Sequence, residues 1–177
     1  MDHREMVDLI RPGVLTVAGI WADLGAGSGN FTWALAELLG PEAQIYAIDR
    51  DMKALHALQQ RMQQELAPAH IIPQQRDLHQ RLDLPMLHGL LMANLLHFMR
   101  DQDSFLQSLL PLLRPGGSML IVEYEQEHVI PWVPYPLPFA RLEALALQLQ
   151  LEEPRRVGLR RSASTGQSMY AALCRVA

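Results

Sequence analysis

Asp23-Leu24-Gly25-Ala26-Gly27-Ser28-Gly29-Asn30 joins a short apolar run, Ile20 to Leu24, to a helical pattern from about Phe31 to Leu39. Glycines at such a strand-to-helix junction permit positive φ and let a ligand come close to the backbone. The N–H groups that open the following helix point into the same space. That helix stops at Gly40-Pro41, and a second strand, Gln44 to Ile48, carries Asp49 at its carboxyl end. The carboxylate lies roughly 20 residues past the turn, where it can accept both hydroxyls of a ribose. A nucleoside ligand over the first crossover is the expectation.

Outward from this stretch, short apolar runs keep alternating with helical patterns, which argues for a parallel βαβ sheet. A short helix, about Arg4 to Ile10, precedes it and ends near Pro12-Gly13. A helix from about Met52 to Leu66 is stopped by Pro68, and a third strand, Ile71 to Gln75, leads into Asp77. The fourth strand, Leu87 to Ala93, ends at Asn94, and a helix from Gln102 to Leu112 has its last turn weakened by Pro111. Arg114-Pro115-Gly116-Gly117 then launches a fifth strand, Ser118 to Tyr124. After a proline-dense segment comes a helix, about Phe139 to Leu149. Two last strands, near Val157 to Arg161 and Met169 to Arg175, form a hairpin through the polar turn Ser162 to Gly166. No repeat or linker divides the chain, so residues 1–177 read as one domain.

Composition supports that reading. At 177 residues, 49% hydrophobic and 19% charged, the chain is apolar enough for a sizeable core and unlike a disordered segment. A formal charge of -4 disfavours generic nucleic-acid binding. The lone Cys174 excludes an internal disulfide framework and reads as an inert buried thiol. Asp2, Arg4, Glu5 and Asp8 interrupt any leader-like apolar region, and no run is long enough to span a membrane. A cytoplasmic protein without membrane or nucleic-acid partners is expected.

The dinucleotide fingerprint G-x-G-x-x-G needs a third glycine at position 30, where this chain has Asn30. Asp23, two places before the first glycine, opposes a pyrophosphate and suits a cationic or amino-bearing ligand. S-adenosylmethionine has an α-amino group, a sulfonium and no phosphate, so charge compatibility favours it over NAD(P). The run Trp21 to Leu39 resembles motif I of the class I S-adenosylmethionine-dependent methyltransferases. Ile45-Tyr46-Ala47-Ile48-Asp49 is similar to their acidic-loop motif, and Arg76-Asp77-Leu78 to their adenine-binding motif. Leu91-Met92-Ala93-Asn94-Leu95-Leu96-His97 resembles the fourth motif, and Leu113-Arg114-Pro115-Gly116-Gly117 the turn before the fifth strand. All five stand in family order over nearly the whole chain. The overall plan resembles the small-molecule, ubiquinone/menaquinone-type enzymes.

The resemblance implies a three-layer Rossmann-like α/β sandwich, its seven-stranded, mostly parallel sheet in order 3-2-1-4-5-7-6 with strand 7 antiparallel. It places Gly25, Ala26, Gly27 and Asn30 near the methionine portion of the cofactor, with Asp23 near its amino group. Asp49 would hold the ribose diol, and Arg50 and Met52 would flank the adenine. Asp77 would accept from the adenine exocyclic amine, the Leu78 N–H would reach a ring nitrogen, and Asn94 would face the methionine portion or the sulfonium. The product would be S-adenosylhomocysteine.

Methyl transfer from a sulfonium is in-line displacement at an activated carbon, so the protein mainly supplies alignment. A base is needed only where the nucleophile must lose a proton. His97, just past the fourth strand, is the candidate base, or else a passive contact or backbone cap. His56 and His70 read as helix surface and strand edge, and His79 and His88 as loop residues. None has metal-ligand spacing, and no metal is expected. His128, Trp132 and Tyr135, around the proline-dense segment, are candidates to wall an apolar acceptor pocket, or simply a rigid crossover. Arg155, Arg156, Arg160 and Arg161 read first as a solvated edge, second as an anion-binding surface. The fourth motif lacks the Pro-Pro-aromatic run of amino-directed nucleic-acid enzymes, so a metabolite acceptor is expected. The rival readings are a non-catalytic S-adenosylmethionine-binding partner subunit and an NAD(P)-dependent oxidoreductase. Monomer and homodimer both stay open.

Overall fold

The computed structural model of the protein describes residues 1–161 and 166–176. In chain order the elements are α1 (His3–Ile10), β1 (Gly19–Leu24), α2 (Asn30–Leu39), β2 (Ala43–Asp49), α3 (Met52–Gln64) and β3 (His70–Gln75). The second half contributes β4 (Leu87–Ala93), α4 (Gln102–Leu109), β5 (Leu113–Tyr124), α5 (Phe139–Gln148), β6 (Arg155–Arg161) and β7 (Ser168–Arg175). The strands form one seven-stranded sheet in the order β3-β2-β1-β4-β5-β7-β6. β7 runs antiparallel to both β5 and β6, and the other pairs are parallel. This is the topology that the motif resemblance implies.

Local sequence explains where the helices begin. Asp2 caps α1 by accepting the Glu5 N–H, while the Glu5 carboxylate accepts the Asp2 N–H in return. Asp51 caps α3 through the Lys53 and Ala54 N–H groups, and Asp101 caps α4 through Ser104. Before α2 there is no side-chain cap. The chain enters from Gly29, whose φ of +82° an L side chain rarely adopts, and an added Cβ would lie 2.4 Å from Leu58 Cδ1.

Strand alternation sends side chains to two cores. Leu24, Met92, Ile121 and Tyr170 pack on the face covered by α4 and α5. Trp21, Leu91, Leu120 and Met169 pack on the face covered by α1, α2 and α3. Gly89 in β4 makes room for Trp21, because a Cβ there would come within 2.4 Å of the indole ring. Among the described residues no helix is long and apolar enough to cross a membrane.

Four local expectations differ from what is observed. The helix after Gln102 is α-helical only to Leu109, and Pro111 turns the remainder into a short 3-10 segment, Leu110–Leu112. β5 starts at Leu113, because the Arg114-Pro115-Gly116-Gly117 turn is absorbed as an irregularity between the Leu87–Leu113 and Gly89–Ser118 pairs. His88 is no loop residue: it stands in β4, and its Nδ1 accepts the Ile20 N–H at 3.0 Å. The arginines are not all a solvated edge, since Arg156 and Arg160 have carboxylate partners, Glu125 and Glu5. Of the expected hairpin turn, residues 162–165 lie outside the described residues. Cys174 is buried, and burial pushes its thiol up to about 12.

Candidate active site

Because β1, β2, β4 and β5 are parallel, their carboxyl ends share one edge of the sheet. The glycine turn is stitched to the end of β2. Gly25 and Ala26 both donate to the Ile48 carbonyl, at 2.8 and 3.0 Å. The Gly27 N–H donates to Asp49 Oδ2 at 2.8 Å, and the Asp51 N–H donates to the other oxygen of the same carboxylate. Gly25 and Gly27 have φ of +74° and +55°. A Cβ on Gly27 would meet nothing within 4 Å, because this residue faces a cavity and not packed protein.

Two cavities open over this edge, one of about 540 Å³ and one of about 320 Å³. The smaller is lined by Asp49, Arg50, Asp77, Leu78, Leu95 and Phe98, among others. The larger runs over the glycine turn and Asn30, past Asp23, to Tyr124, Trp132, Arg160 and Met169. Gly25 and Asn94 line both, so they stand where the cavities adjoin. Asn94 has a left-handed φ of +55°, and its Oδ1 is buried with no hydrogen-bond partner among the described residues. Strain and an unmet acceptor at one residue are features of ligand-binding positions.

Asp23 is 1% exposed and accepts the Thr32 hydroxyl at 2.6 Å. Burial pushes its carboxyl up to about 7, with the Asp49 charge adding to the effect and the Thr32 hydrogen bond opposing it. A cation brought to this carboxylate would favour its ionised form.

His97 is 2% exposed and lies in the short turn Leu96–Phe98 after β4. Its Nδ1 is 2.6 Å from Glu123 Oε2, and its backbone N–H donates to Glu123 Oε1. Its carbonyl accepts the Tyr135 N–H, and Gln102 bridges the Leu96 and Tyr135 carbonyls. The His97 ring also contacts Phe98 and Tyr124, one from the lining of each cavity, while His97 itself lines neither.

Of the residues singled out in the sequence, Asp23, Gly25, Ala26, Gly27, Asn30 and Asn94 meet around the larger cavity, and Trp132 joins them. Asp49, Arg50, Asp77 and Leu78 meet around the smaller. Met52, His97, His128 and Tyr135 are not in the lining of either. The lining also includes residues the sequence did not single out: Met6, Phe31, Tyr124 and Met169 in the larger cavity, and Phe98 in the smaller, while Arg160, from the basic group read second as an anion-binding surface, joins the larger. Tyr124 follows from the same rule as Asp49 and Asn94, since it ends a parallel strand. Thr32 and Met6 have no comparable local signal.

The methyltransferase-domain family profile matches residues 22–119. No curated protein sequence matches the chain significantly. Among solved structures, an S-adenosylmethionine-dependent methyltransferase from Aquifex aeolicus is similar with TM-score 0.68 and 14% identity, over 100% of both chains. Magnesium protoporphyrin IX methyltransferase from Synechocystis PCC 6803, with bound S-adenosylhomocysteine, is similar with TM-score 0.75 and 15% identity, over 99% of this chain and 84% of that one. The arsenic(III) S-adenosylmethionine methyltransferase of Chlamydomonas reinhardtii gives TM-score 0.69 and 16% identity, over 93% of this chain and only 64% of that one. The match from the first crossover strand into β5, together with five motifs in order on this sheet, identifies the chain as a member of the methyltransferase-domain family.

Proposed function

We propose that this chain transfers a methyl group from S-adenosylmethionine to a small-molecule acceptor, the cofactor spanning both cavities and the acceptor entering the larger. The observation that carries the reading is the pair of cavities adjoining at Gly25 and Asn94. One is rimmed by carboxylates suited to a ribose and an adenine amine. The other has a buried carboxylate suited to an ammonium. The residues fit the group: Gly27 leaves its backbone open, and Asn94 Oδ1 is a buried acceptor without a donor among the described residues.

When bound, the cofactor supplies a methyl carbon already activated by its sulfonium. Its methyl–sulfur bond would break as the acceptor's lone pair forms the new bond, leaving the sulfur neutral. The chain's own task is alignment. Asp49 has lone pairs beyond those used by Gly27 and Asp51, and these take the sugar hydroxyls. Asp77 and the Leu78 N–H read the adenine edge, with Arg50 beside it. Asp23 would hold the ammonium, and Asn94, where the two cavities adjoin, would face the methionine portion or the sulfonium. Trp132 and Tyr124 wall the acceptor. His97, clamped by Glu123 between Phe98 and Tyr124, acts as a positioning residue that holds both cavity walls in register.

The acceptors named for the similar proteins, an arsenic(III) species and a magnesium porphyrin, share no chemistry that transfers to this chain. Calorimetric titration with S-adenosylhomocysteine and with NADH tests the cofactor assignment, and tight NADH binding without S-adenosylhomocysteine binding would overturn it. Transfer of labelled methyl groups into fractionated metabolites tests the reaction. Cofactor binding with no transfer to any fraction would instead favour a non-catalytic binding subunit.

A further inference from the structure

Arg160 stands at the far end of the larger cavity from the glycine turn. β6 is the fourth strand along from β1 in the sheet, and neighbouring strands are roughly 4.8 Å apart, so the backbones of these two strands are about 19 Å apart. A cofactor whose amino-acid end sits at the β1 turn leaves this end to the acceptor. Arg160 is the one positively charged side chain among the described residues of the lining. Met169 is its cross-strand neighbour, Tyr124 and Trp132 share the lining, and burial raises the pKa of the Tyr124 phenol.

The guanidinium is only partly used. Its Nη2 donates to both oxygens of Glu5 at 3.0 Å. Its Nε is buried and has no hydrogen-bond partner among the described residues. A planar guanidinium has five donors in a fixed fork, and the pair with Glu5 occupies one terminal nitrogen of it. Glu5 is itself committed to the start of α1, where its Oε2 accepts the Asp2 N–H. Glu5 thus positions and partly offsets the charge while engaging only Nη2 of the fork.

We propose that Arg160 is a specificity-determining residue that selects acceptors carrying a carboxylate on an aromatic or otherwise flat apolar body. Trp132 and Tyr124 cover the body, the guanidinium fork takes the carboxylate, and Glu5 sets the strength of the attraction. This rests on the methyl-transfer reading for the identity of the ligand as acceptor, although the anion site can be tested without turnover.

The test uses the full chain saturated with S-adenosylhomocysteine and titrated with phenylacetate or phenylacetamide, which differ in charge and little in shape. Wild type is expected to bind the acid at least tenfold more tightly than the amide. Arg160→Gln should erase that preference, and Glu5→Gln, which preserves the helix cap, should widen it several-fold. The affinity for S-adenosylhomocysteine should stay within threefold in both variants. A mere staple between α1 and β6 predicts instead that both variants lower the melting temperature and neither alters the acid-to-amide ratio. Equal binding of the two probes by wild type, no binding of the acid, or a preference that survives Arg160→Gln would overturn the proposal. So would a tenfold loss of S-adenosylhomocysteine affinity in Arg160→Gln, which would give the guanidinium to the cofactor's own carboxylate. If Arg160→Gln does not fold, Arg160→Lys, which retains charge without the fork, should reduce the ratio at least threefold, and an unchanged ratio counts against the proposal. If the protein binds no S-adenosylhomocysteine at all, the methyl-transfer reading fails. The same titration of the protein without it then decides the anion site alone, with an acid preference in favour and none against.

Discussion

Asp49 has two tasks that pull on the same carboxylate. It secures the glycine turn through the Gly27 N–H and the next segment through the Asp51 N–H, while the proposed ribose contact draws on its remaining lone pairs. Asp49→Ala removes both, so the loss should include the charged hydrogen bonds to the sugar, roughly 1.5–3 kcal/mol, and a further loosening of the turn. Asp49→Asn keeps one acceptor oxygen and should fall between. Calorimetric dissociation constants for S-adenosylhomocysteine check the order, and unchanged binding in a folded Asp49→Ala would remove the sugar contact from the proposal. Asp23 sets a pH dependence of the opposite kind from an ordinary surface acid. Its ordinary value is 3.8, and burial raises it to about 7 in the fold. Between those values the native protein keeps a proton the unfolded chain has released, so this group's contribution to stability is full below about pH 4 and is lost as pH rises through 7. Asp23→Asn should flatten that decline by roughly 2–4 kcal/mol, measured by denaturant unfolding at pH 5 and pH 8. Ammonium binding has the reverse sign: wild-type affinity for S-adenosylhomocysteine should rise from pH 6 to pH 8, and Asp23→Asn should lose that rise. The residue that weakens the fold at neutral pH is the one proposed to hold the ligand.

Between elements, the short turn Leu96–Phe98 is fixed by partners far away in sequence. Glu123, at the carboxyl end of β5, accepts the backbone N–H of His97 and lies 2.6 Å from its ring Nδ1, and Tyr135 from the proline-dense segment donates to the His97 carbonyl. His97→Ala would leave the Glu123 carboxylate buried without its ring partner, a change that typically costs about 3–5 kcal/mol. Urea unfolding measures it. A loss under about 1 kcal/mol would show that the pair contributes no more than a surface one and that the two cavity walls are held by other contacts. The same cluster shows where sequence reading stops. Asp49, Asp77 and Asn94 are legible because each follows its own apolar run, and parallel strands bring such ends together by construction. The Gly25–Gly27 turn is legible because its spacing is local. Glu123 lies 26 residues from His97, and Arg160 lies 155 from Glu5. Nothing local in the chain pairs them. The proline-dense segment likewise reads as stiff without revealing that Trp132 turns to the cavity while Tyr135 only lends its backbone.

For the molecule as a whole, the site draws on both halves of the chain, from Met6 in α1 to Met169 in β7. A ligand bound there stabilises only the folded state, by about 2.7 kcal/mol when it is present at 100 times its dissociation constant. For a chain of this size each kcal/mol moves the melting temperature by roughly 2–4 °C. S-adenosylhomocysteine should therefore raise it by about 5–10 °C, and NADH at the same concentration should leave it unchanged. Gly27→Val separates ligand contact from folding. The substitution opposes a φ of +55° in a turn where an added Cβ meets nothing within 4 Å. Its cost to the unliganded fold is chiefly backbone strain, on the order of 1–3 kcal/mol. Its branched side chain would, however, enter the space where the turn is proposed to meet the methionine portion. A moderately lowered melting temperature with no response to S-adenosylhomocysteine is the expected pair of results in a thermal melt. A variant that melts lower but keeps the full ligand shift would place the cofactor away from the glycine turn.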